Sequence, residues 1–372
     1  MNIRLTESRC VVIKIGSALL VDPAEAALRH AWLKTVCDDI ARLRRGGTQV
    51  VVVSSGAIAL ARFRLGLIGR RLRLDEKQAA ASVGQIELAQ AWSLALAAHD
   101  LTAAQMLLTP EDTEDRERHL NARATLRTLL SLGCVPVINE NDAIATSEIR
   151  FGDNDRLAAR VAQMIGADTL VLLSDIDGLY TADPRRDPGA VHIPVVETLT
   201  DSIMEMGGAP PPGYSSGGMH TKLLAAQIAT RAGTRMAIAS GLGDHPVSAL
   251  VETGRCTWFL ASDDAGSARK RWIVGSLGSR GRLTIDDGAV SALRRGSSLL
   301  PAGVCLVEGR FDPGDLVTIV DREGREIARG LSAYDCTEAR RIAGHRSGEI
   351  SSCLGHDGPD ELIHRDDLVL LH

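Results

Sequence analysis

At 372 residues the chain exceeds one ordinary core, and 45% hydrophobic against 24% charged residues describes a folded protein. The formal net charge is −5, with 30 Lys+Arg against 31 Asp+Glu over residues 1–278 and 12 against 16 over 279–372, so neither part has the basic excess of non-specific nucleic-acid binding. No apolar run approaches the ~18 residues that span a bilayer, and the N-terminus has no apolar signal core, so a cytoplasmic protein without membrane contact is expected.

The first two-thirds alternates short apolar runs with helical patterns. Val11–Ile15 reads as a buried strand, Ala24–Arg45 as a helix ending at Gly46-Gly47, and Gln49–Val53 as the next strand. Further apolar runs at Ala103–Leu107, Val135–Ile138, Thr169–Leu173 and Arg235–Ala239 are separated by helical stretches at 75–99, 114–132, 154–166 and 219–232. Continuous apolar strands between helices predict an α/β architecture, an open and mostly parallel sheet sandwiched by helices, over residues 1–262. A polar linker follows at 263–278. Residues 279–372 then read as a small, mainly β domain, with strands at Arg282–Ile285 and Leu316–Val320 and one good helix at Val290–Arg295.

Seven cysteines are an odd number without any C-x-x-C pair, which favours buried thiols over disulfides or thiolate zinc. The ten histidines show no metal-ligand spacing.

In an open α/β sheet, ligands collect beyond the carboxyl ends of the strands. Four strand ends carry polar or glycine-containing loops: Lys14-Ile15-Gly16-Ser17, Ser54-Ser55-Gly56-Ala57, Asn139-Glu140-Asn141-Asp142 and Ser174-Asp175-Ile176-Asp177-Gly178. Lys14 is exceptional inside an apolar strand. Either its ammonium meets an anion, or the strand lies at an edge and Lys14 points to water. No G-x-x-x-x-G-K-[ST] and no well-placed G-x-G-x-x-G occurs. Instead, Ser216-Gly217-Gly218-Met219-His220-Thr221-Lys222 leads a glycine pair into a helix with a lysine in its first turn. That arrangement suits a phosphate, though a plain Gly/Ser loop is the alternative. The polar cluster from Asn139 to Asp142 and from Gly152 to Asp155 reads either as turn and cap chemistry or as a polar substrate site.

These pieces occur in a specific order. Val12–Ser17, Val53–Ala59, Gln105–Thr109, Asp115–Arg118, Val135–Ala143, Phe151–Asp155, Asp177–Arg185 and Gly217–Lys222, followed by Arg269–Ile273, Gly296–Gly303 and His364–Asp367, resemble the glutamate 5-kinase family. That family joins an amino-acid-kinase domain to a PUA domain, and the resemblance spans nearly the whole chain. It implies ATP-dependent phosphorylation of the glutamate side-chain carboxylate, the first step of proline biosynthesis. It further implies Lys14 and Lys222 as catalytic lysines organised by Asp155, and Ser55, Asp142 and Asn154 as glutamate-binding residues. Nucleotide contacts are implied at Lys14, Ser174, Asp175 and the run Ser216, Gly217, Gly218, Met219, His220, Thr221 and Lys222. Mg²⁺ is expected with ATP, its protein ligands unassigned; a homodimer or tetramer and proline as feedback inhibitor are expected as well. Where the family usually has Thr-Ser-Gly, Thr-Asp and Gly-Thr-Gly-Gly-Met, this chain has Ser54-Ser55-Gly56, Ser174-Asp175 and Ser215-Ser216-Gly217-Gly218-Met219.

A carboxylate is already ionised at neutral pH, above a pKa of about 4.3, so such a reaction needs no general base. It needs positioning and cationic neutralisation of two anions brought together. Rival readings are a same-fold kinase for aspartate, N-acetylglutamate, carbamate or a nucleotide monophosphate, and an RNA-binding protein acting through the PUA-like domain. Against RNA stand the acidic balance of residues 279–372 and their two aromatic residues, Phe311 and Tyr334.

Overall fold

The computed structural model describes residues 5–22, 27–70, 72–144, 154–208, 218–261 and 279–371. The chain divides into two compact units, Met1–Ala265 and Gly266–His372. The expected linker at 263–278 lies outside the described residues.

The first unit is built on an eight-stranded sheet. Its strands are β1 (Cys10–Ile15), β2 (Gln49–Ser54), β3 (Ala103–Leu108), β4 (Val135–Glu140), β5 (Thr169–Ser174), β6 (Val195–Val196), β7 (Arg235–Ser240) and β8 (Cys256–Phe259). They lie in the order β6-β8-β7-β5-β1-β2-β4-β3. All pairs from β7 to β3 are parallel, and β8 runs antiparallel to β7. The mostly parallel, helix-covered sheet expected from the alternation of apolar runs is therefore the observed one.

Period-two alternation sends successive residues to opposite faces. Val11, Ile13 and Ile15 join Val50, Val52, Val171 and Leu173 in one core, covered by α1 (His30–Arg45) and α3 (Leu74–Ala97). Cys10 and Val12 join Val51, Val53, Leu170 and Leu172 in the other, covered by α5 (Asn154–Ile165) and α6 (Met219–Arg231). By the same alternation Lys14 faces α5 and α6. It pairs with Val53 on one side and Leu172 on the other, so β1 is interior and the edge-strand alternative is wrong.

Several expected boundaries move. The helix expected from Ala24 begins at His30, because Val21–Asp22 pairs antiparallel with Ala27–Leu28. Burying Val21 and Leu28 there outweighs the helix propensity of the alanines. The helix expected over 114–132 is two, Pro110–Glu114 and α4 (Arg116–Ser131), divided at Asp115. That side chain accepts from Arg118 N at 3.0 Å and starts the second helix. A short helix α2 (Ala57–Arg64), a helix α7 (Pro246–Thr253) and the short strands β6 and β8 were not expected.

The second unit holds a five-stranded sheet of β9 (Gly281–Ile285), β10 (Val304–Gly309), β11 (Leu316–Val320), β12 (Glu326–Leu331) and β13 (Leu368–Leu370), in the order β10-β9-β11-β12-β13. Only β9 and β11 are parallel. Beside the expected helix, α8 (Asp287–Arg294), stand two that were missed, α9 (Cys336–Ile342) and α10 (Ile350–Leu354). Each is too short to show a helical period, and each contributes buried side chains, Ala339 and Ile342 from α9 and Ile350 from α10.

Of the seven thiols, Cys10, Cys37 and Cys256 are buried, and burial pushes each up to about 12. Cys134, Cys336 and Cys353 are half-buried and Cys305 is exposed, so burial, expected of the thiols, is complete for three of the seven.

Candidate active site

Three groups from three elements meet beyond the carboxyl end of β1. Lys14 is the last residue but one of β1, Asp155 lies in the first turn of α5, and Lys222 in the first turn of α6. Lys14 Nζ lies 2.6 Å from Asp155 Oδ1 and Lys222 Nζ 3.1 Å from Asp155 Oδ2. The lysines are 7% and 8% exposed and the aspartate 1%, so Lys222 is not a solvated helix residue. Thr221 Oγ1 donates to Asp155 Oδ2 at 2.9 Å and accepts from Gly218 N at 3.1 Å, tying the entrance of α6 to the same carboxylate.

Burial alone would raise the pKa of Asp155. The ammonium groups of Lys14 and Lys222 outweigh it and, with hydrogen bonds from Lys14 and Thr221, hold the carboxyl well below the usual range. Asp155 is thus held in its ionised form at neutral pH. Two cations face one carboxylate, which leaves a net positive charge in a nearly dry position, a place prepared for a further anion.

The residue before Asp155 belongs to a neutral arrangement. Asn154 Nδ2 donates to Ser55 Oγ at 2.6 Å and to Asn139 Oδ1 at 3.1 Å. Ser55 is itself held by its N–H, which donates to Ile15 O at 3.0 Å. Gly56, next in that loop, has φ +121°, a conformation glycine adopts at low cost, which lets β2 turn sharply into α2. Asp142, two residues past β4, stands apart from this relay. It is half-buried, and burial, reinforced by the Glu140 carboxylate and opposed by Lys77, pushes its carboxyl up to about 7.

At the end of β5, Ser174 Oγ donates to Asp175 Oδ1 at 3.1 Å, and Asp175 Oδ2 pairs with Arg185 at 2.7 Å. Burial would raise the Asp175 carboxyl, but Arg185 and Ser174 hold it below its ordinary value. Of the expected nucleotide loop, Ser216 and Gly217 lie outside the described residues. Gly218 precedes α6 in an extended conformation, and Met219, His220 and Thr221 form its first turn.

The structure therefore brings Lys14, Asp155, Thr221 and Lys222 into one cluster and Ser55 and Asn154 into a second, joined through consecutive residues of α5. Ser174 and Asp175 form a third group. Asn139 belonged to the polar cluster read as a possible substrate site, but two participants were not expected: Gln85, whose Oε1 accepts from Asn139 Nδ2 at 2.8 Å, and Arg185. Gln85 sits in mid-helix with no local sequence signal. Arg185 falls within the recognised run Asp177–Arg185 but carried no role there.

In the second unit, Phe311 and Tyr334 are 3% and 2% exposed and pack in its core. Neither ring offers a stacking face.

Comparison with known proteins agrees along the whole chain. Residues 9–240 match the family model described as the amino acid kinase family, and residues 281–354 match that of the PUA domain. A glutamate 5-kinase of Gluconobacter oxydans is 71% identical over 367 residues, covering 99% of this chain and 97% of that protein. Glutamate 5-kinases of Paramagnetospirillum magneticum and of Rhodopseudomonas palustris strain TIE-1 are 56% and 57% identical, each covering at least 98% of both chains.

Proposed function

We propose, from the premise that this chain belongs to the amino acid kinase family and within it to the glutamate 5-kinases, a division of labour among its site residues. The chain transfers the γ-phosphoryl group of ATP to the side-chain carboxylate of glutamate, giving glutamyl 5-phosphate and ADP, the first step of proline biosynthesis. The PUA domain is part of the same enzyme.

In this proposal Lys14 and Lys222 are the catalytic cations. Their ammonium groups neutralise the oxygens of the phosphoryl group in transit, where preorganised charge in a dry site acts most strongly. Asp155 keeps both lysines in place. Ser55, Asn154 and Asp142 bind glutamate and aim its side-chain carboxylate, which attacks without losing a proton. Ser174, Asp175 and the loop Ser216, Gly217, Gly218, Met219, His220 and Thr221 take the nucleotide, since the first-turn amides of a helix such as α6 have no partner within the helix and favour a phosphate. The observation that carries this reading is the buried pair of lysines sharing one carboxylate, one residue away from the Asn154–Ser55 contact.

Among the described residues, no three His, Cys, Asp or Glu side chains converge as metal ligands, so these residues do not form a protein cage for Mg²⁺. The ion would come with the triphosphate and neutralise its β- and γ-oxygens. A homodimer or tetramer and feedback inhibition by proline belong to the same proposal, tested by light scattering and inhibition kinetics.

The assay is ADP release with ATP and Mg²⁺, with hydroxylamine present to trap the acyl phosphate. Glutamate gives trappable product, and N-acetylglutamate and aspartate are at least about tenfold poorer by kcat/KM, because a site built around a charged ammonium leaves polar groups unpaired with an acylated analogue. Equal rates with N-acetylglutamate contradict the assignment.

A further inference from the structure

The neutral cluster has a direction, and its direction is set by one group that cannot turn round. A side-chain amide can present either its oxygen or its nitrogen to a neighbour, so the polarity of an amide chain must come from a fixed donor or acceptor. Here that group is the backbone N–H of Glu140, which donates to Asn139 Oδ1 at 2.9 Å. Asn139 Oδ1 is thereby the acceptor end. Its Nδ2 must point the other way, where Gln85 Oε1 accepts from it at 2.8 Å. Asn139 Oδ1 also receives Asn154 Nδ2 at 3.1 Å, and that same Nδ2 donates to Ser55 Oγ at 2.6 Å. Both amide hydrogens of Asn154 are then used within the protein. Its remaining polar atom, Oδ1, is buried and has no hydrogen-bond partner among the described residues, in a residue only 6% exposed. A buried carbonyl oxygen without a partner is uncommon and points to a donor that arrives from outside.

The helix that carries Gln85 is fastened to the same site. Within α3, a Cβ at Gly84 would fall 1.8 Å from Ala57 O, so glycine there permits direct backbone contact with the start of α2, just past Ser55-Gly56. Two turns on, Trp92 Nε1 donates to Ser54 Oγ at 3.0 Å in the protein interior. Thus α3 grips the Ser54–Ala57 loop at two points and places Gln85 against Asn139 between them.

Building on the assignment of Asn154 to the glutamate site, we infer that Gln85 is a positioning residue for substrate recognition: through Asn139 it holds the Asn154 amide with Oδ1 turned into the site as an acceptor for the α-ammonium of glutamate. Gln85 touches neither substrate nor the reacting atoms. Without its carbonyl, Asn139 Nδ2 is left buried and without an acceptor. Held then from the Glu140 N–H alone, the side chain shifts to find an acceptor and loosens its hold on Asn154, whose amide is free to present its N–H₂ to the substrate instead. An N–H₂ facing an ammonium is repulsive, so the penalty falls on substrates that carry the α-ammonium and spares those that lack it.

The test uses the full-length chain in steady-state kinetics with glutamate and with glutarate, the same dicarboxylate without the amino group. Gln85→Ala raises the glutamate KM on the order of tenfold, the size of one lost hydrogen bond of this kind, with kcat and the ATP KM within about twofold. Its preference for glutamate over glutarate narrows by a similar factor. Gln85→Glu keeps an acceptor for Asn139 and restores both the KM and the preference, which a loss of helix packing would not allow. Asn154→Ala is run alongside to separate this inference from the site assignment. If Asn154→Ala raises the glutamate KM and Gln85→Ala does not, the positioning role is wrong and the assignment stands. If Gln85→Ala raises the KM for glutamate and glutarate equally, the role is again wrong, since the ammonium is then not what it serves. If Asn154→Ala itself leaves the glutamate KM unchanged, the assignment fails and this inference with it.

Discussion

Asn154 and Asp155 are consecutive residues in the first turn of one helix, yet they serve environments of opposite physical character. Asp155 is a buried anion between two ammonium groups, and its partners are fixed by charge. Asn154 is a neutral amide whose orientation depends on a relay of hydrogen bonds reaching back to a backbone N–H. The charged side tolerates small rotations, because Coulomb attraction falls off slowly with distance and angle. The neutral side depends on direction and, on the proposed role, loses its function if one amide turns over. Placing both on one helix terminus fixes the separation between the proposed phosphoryl cations and the proposed glutamate-binding groups, and distance is what in-line transfer between two anions requires.

The sharpest way to break the charged side is to remove its anion. Asp155→Ala leaves two buried ammonium groups facing each other, with an expected loss of about 3–5 kcal/mol. That loss lowers Tm by roughly 10 °C for a unit of this size, and activity becomes undetectable. A melt within 2 °C of the parent protein would show that the lysines do not depend on Asp155. The pKa of Asp155 is depressed on folding, so its stabilisation is present above the unfolded value and is lost only as pH falls through the lower folded one. Between pH 5 and 9 it contributes no titration.

Next in size, Lys222→Met removes one preorganised cation, and the expected drop in kcat is ~10²–10³, with a normal melt confirming the fold. Asn154→Ala acts on the other side. It raises the glutamate KM by roughly ten- to a hundredfold while kcat changes less, because the contact is made in the ground state and the transition state alike.

A smaller effect separates the two sides by pH. The Asp142 carboxyl is raised to about 7 in the fold, and the ionised form is the one that pairs with an ammonium. The kcat/KM for glutamate therefore rises as pH goes from 6 to 8, and Asp142→Asn abolishes this rise. The sign for stability is the reverse. With the folded pKa above the unfolded one, the fold binds the extra proton between about pH 4 and 7, and stability declines as pH rises through that window. The smallest change is expected from removing the second unit: a chain ending at residue 265 keeps glutamate kinase activity, since Lys14, Ser55, Asn154, Asp155 and Lys222 all precede that point. Loss of activity in a folded truncation would place part of the site elsewhere.

What could be read from the sequence follows the same division. Lys14 announced itself because a lysine in Val11–Ile15 violates the pattern of a buried strand, and its interior position explains why. Ser55, Asn154, Asp155 and Lys222 were legible as polar residues at strand ends or helix starts within an ordered set of motifs. Gln85 was not. It is a polar residue in an alanine-rich helix, indistinguishable there from a surface residue, and its meaning lies in a contact with Asn139, 54 positions away. The fold showed the same limit. Long apolar strands were found nearly to the residue, while β8, α9 and α10, each seven residues or fewer, owe their form to tertiary packing and leave no period to detect.

The most direct test of the division between charged and neutral sides is equilibrium binding of glutamate in the absence of nucleotide, measured by calorimetry on the parent protein, Lys222→Met and Asn154→Ala. Glutamate binds Lys222→Met with an affinity within about twofold of the parent, whereas Asn154→Ala binds it at least about tenfold more weakly, the size of a lost buried hydrogen bond to a charged group. Equal weakening in both variants would mean that the lysines and the amide relay recognise the same part of the substrate, and the two sides of α5 would not be separate sites.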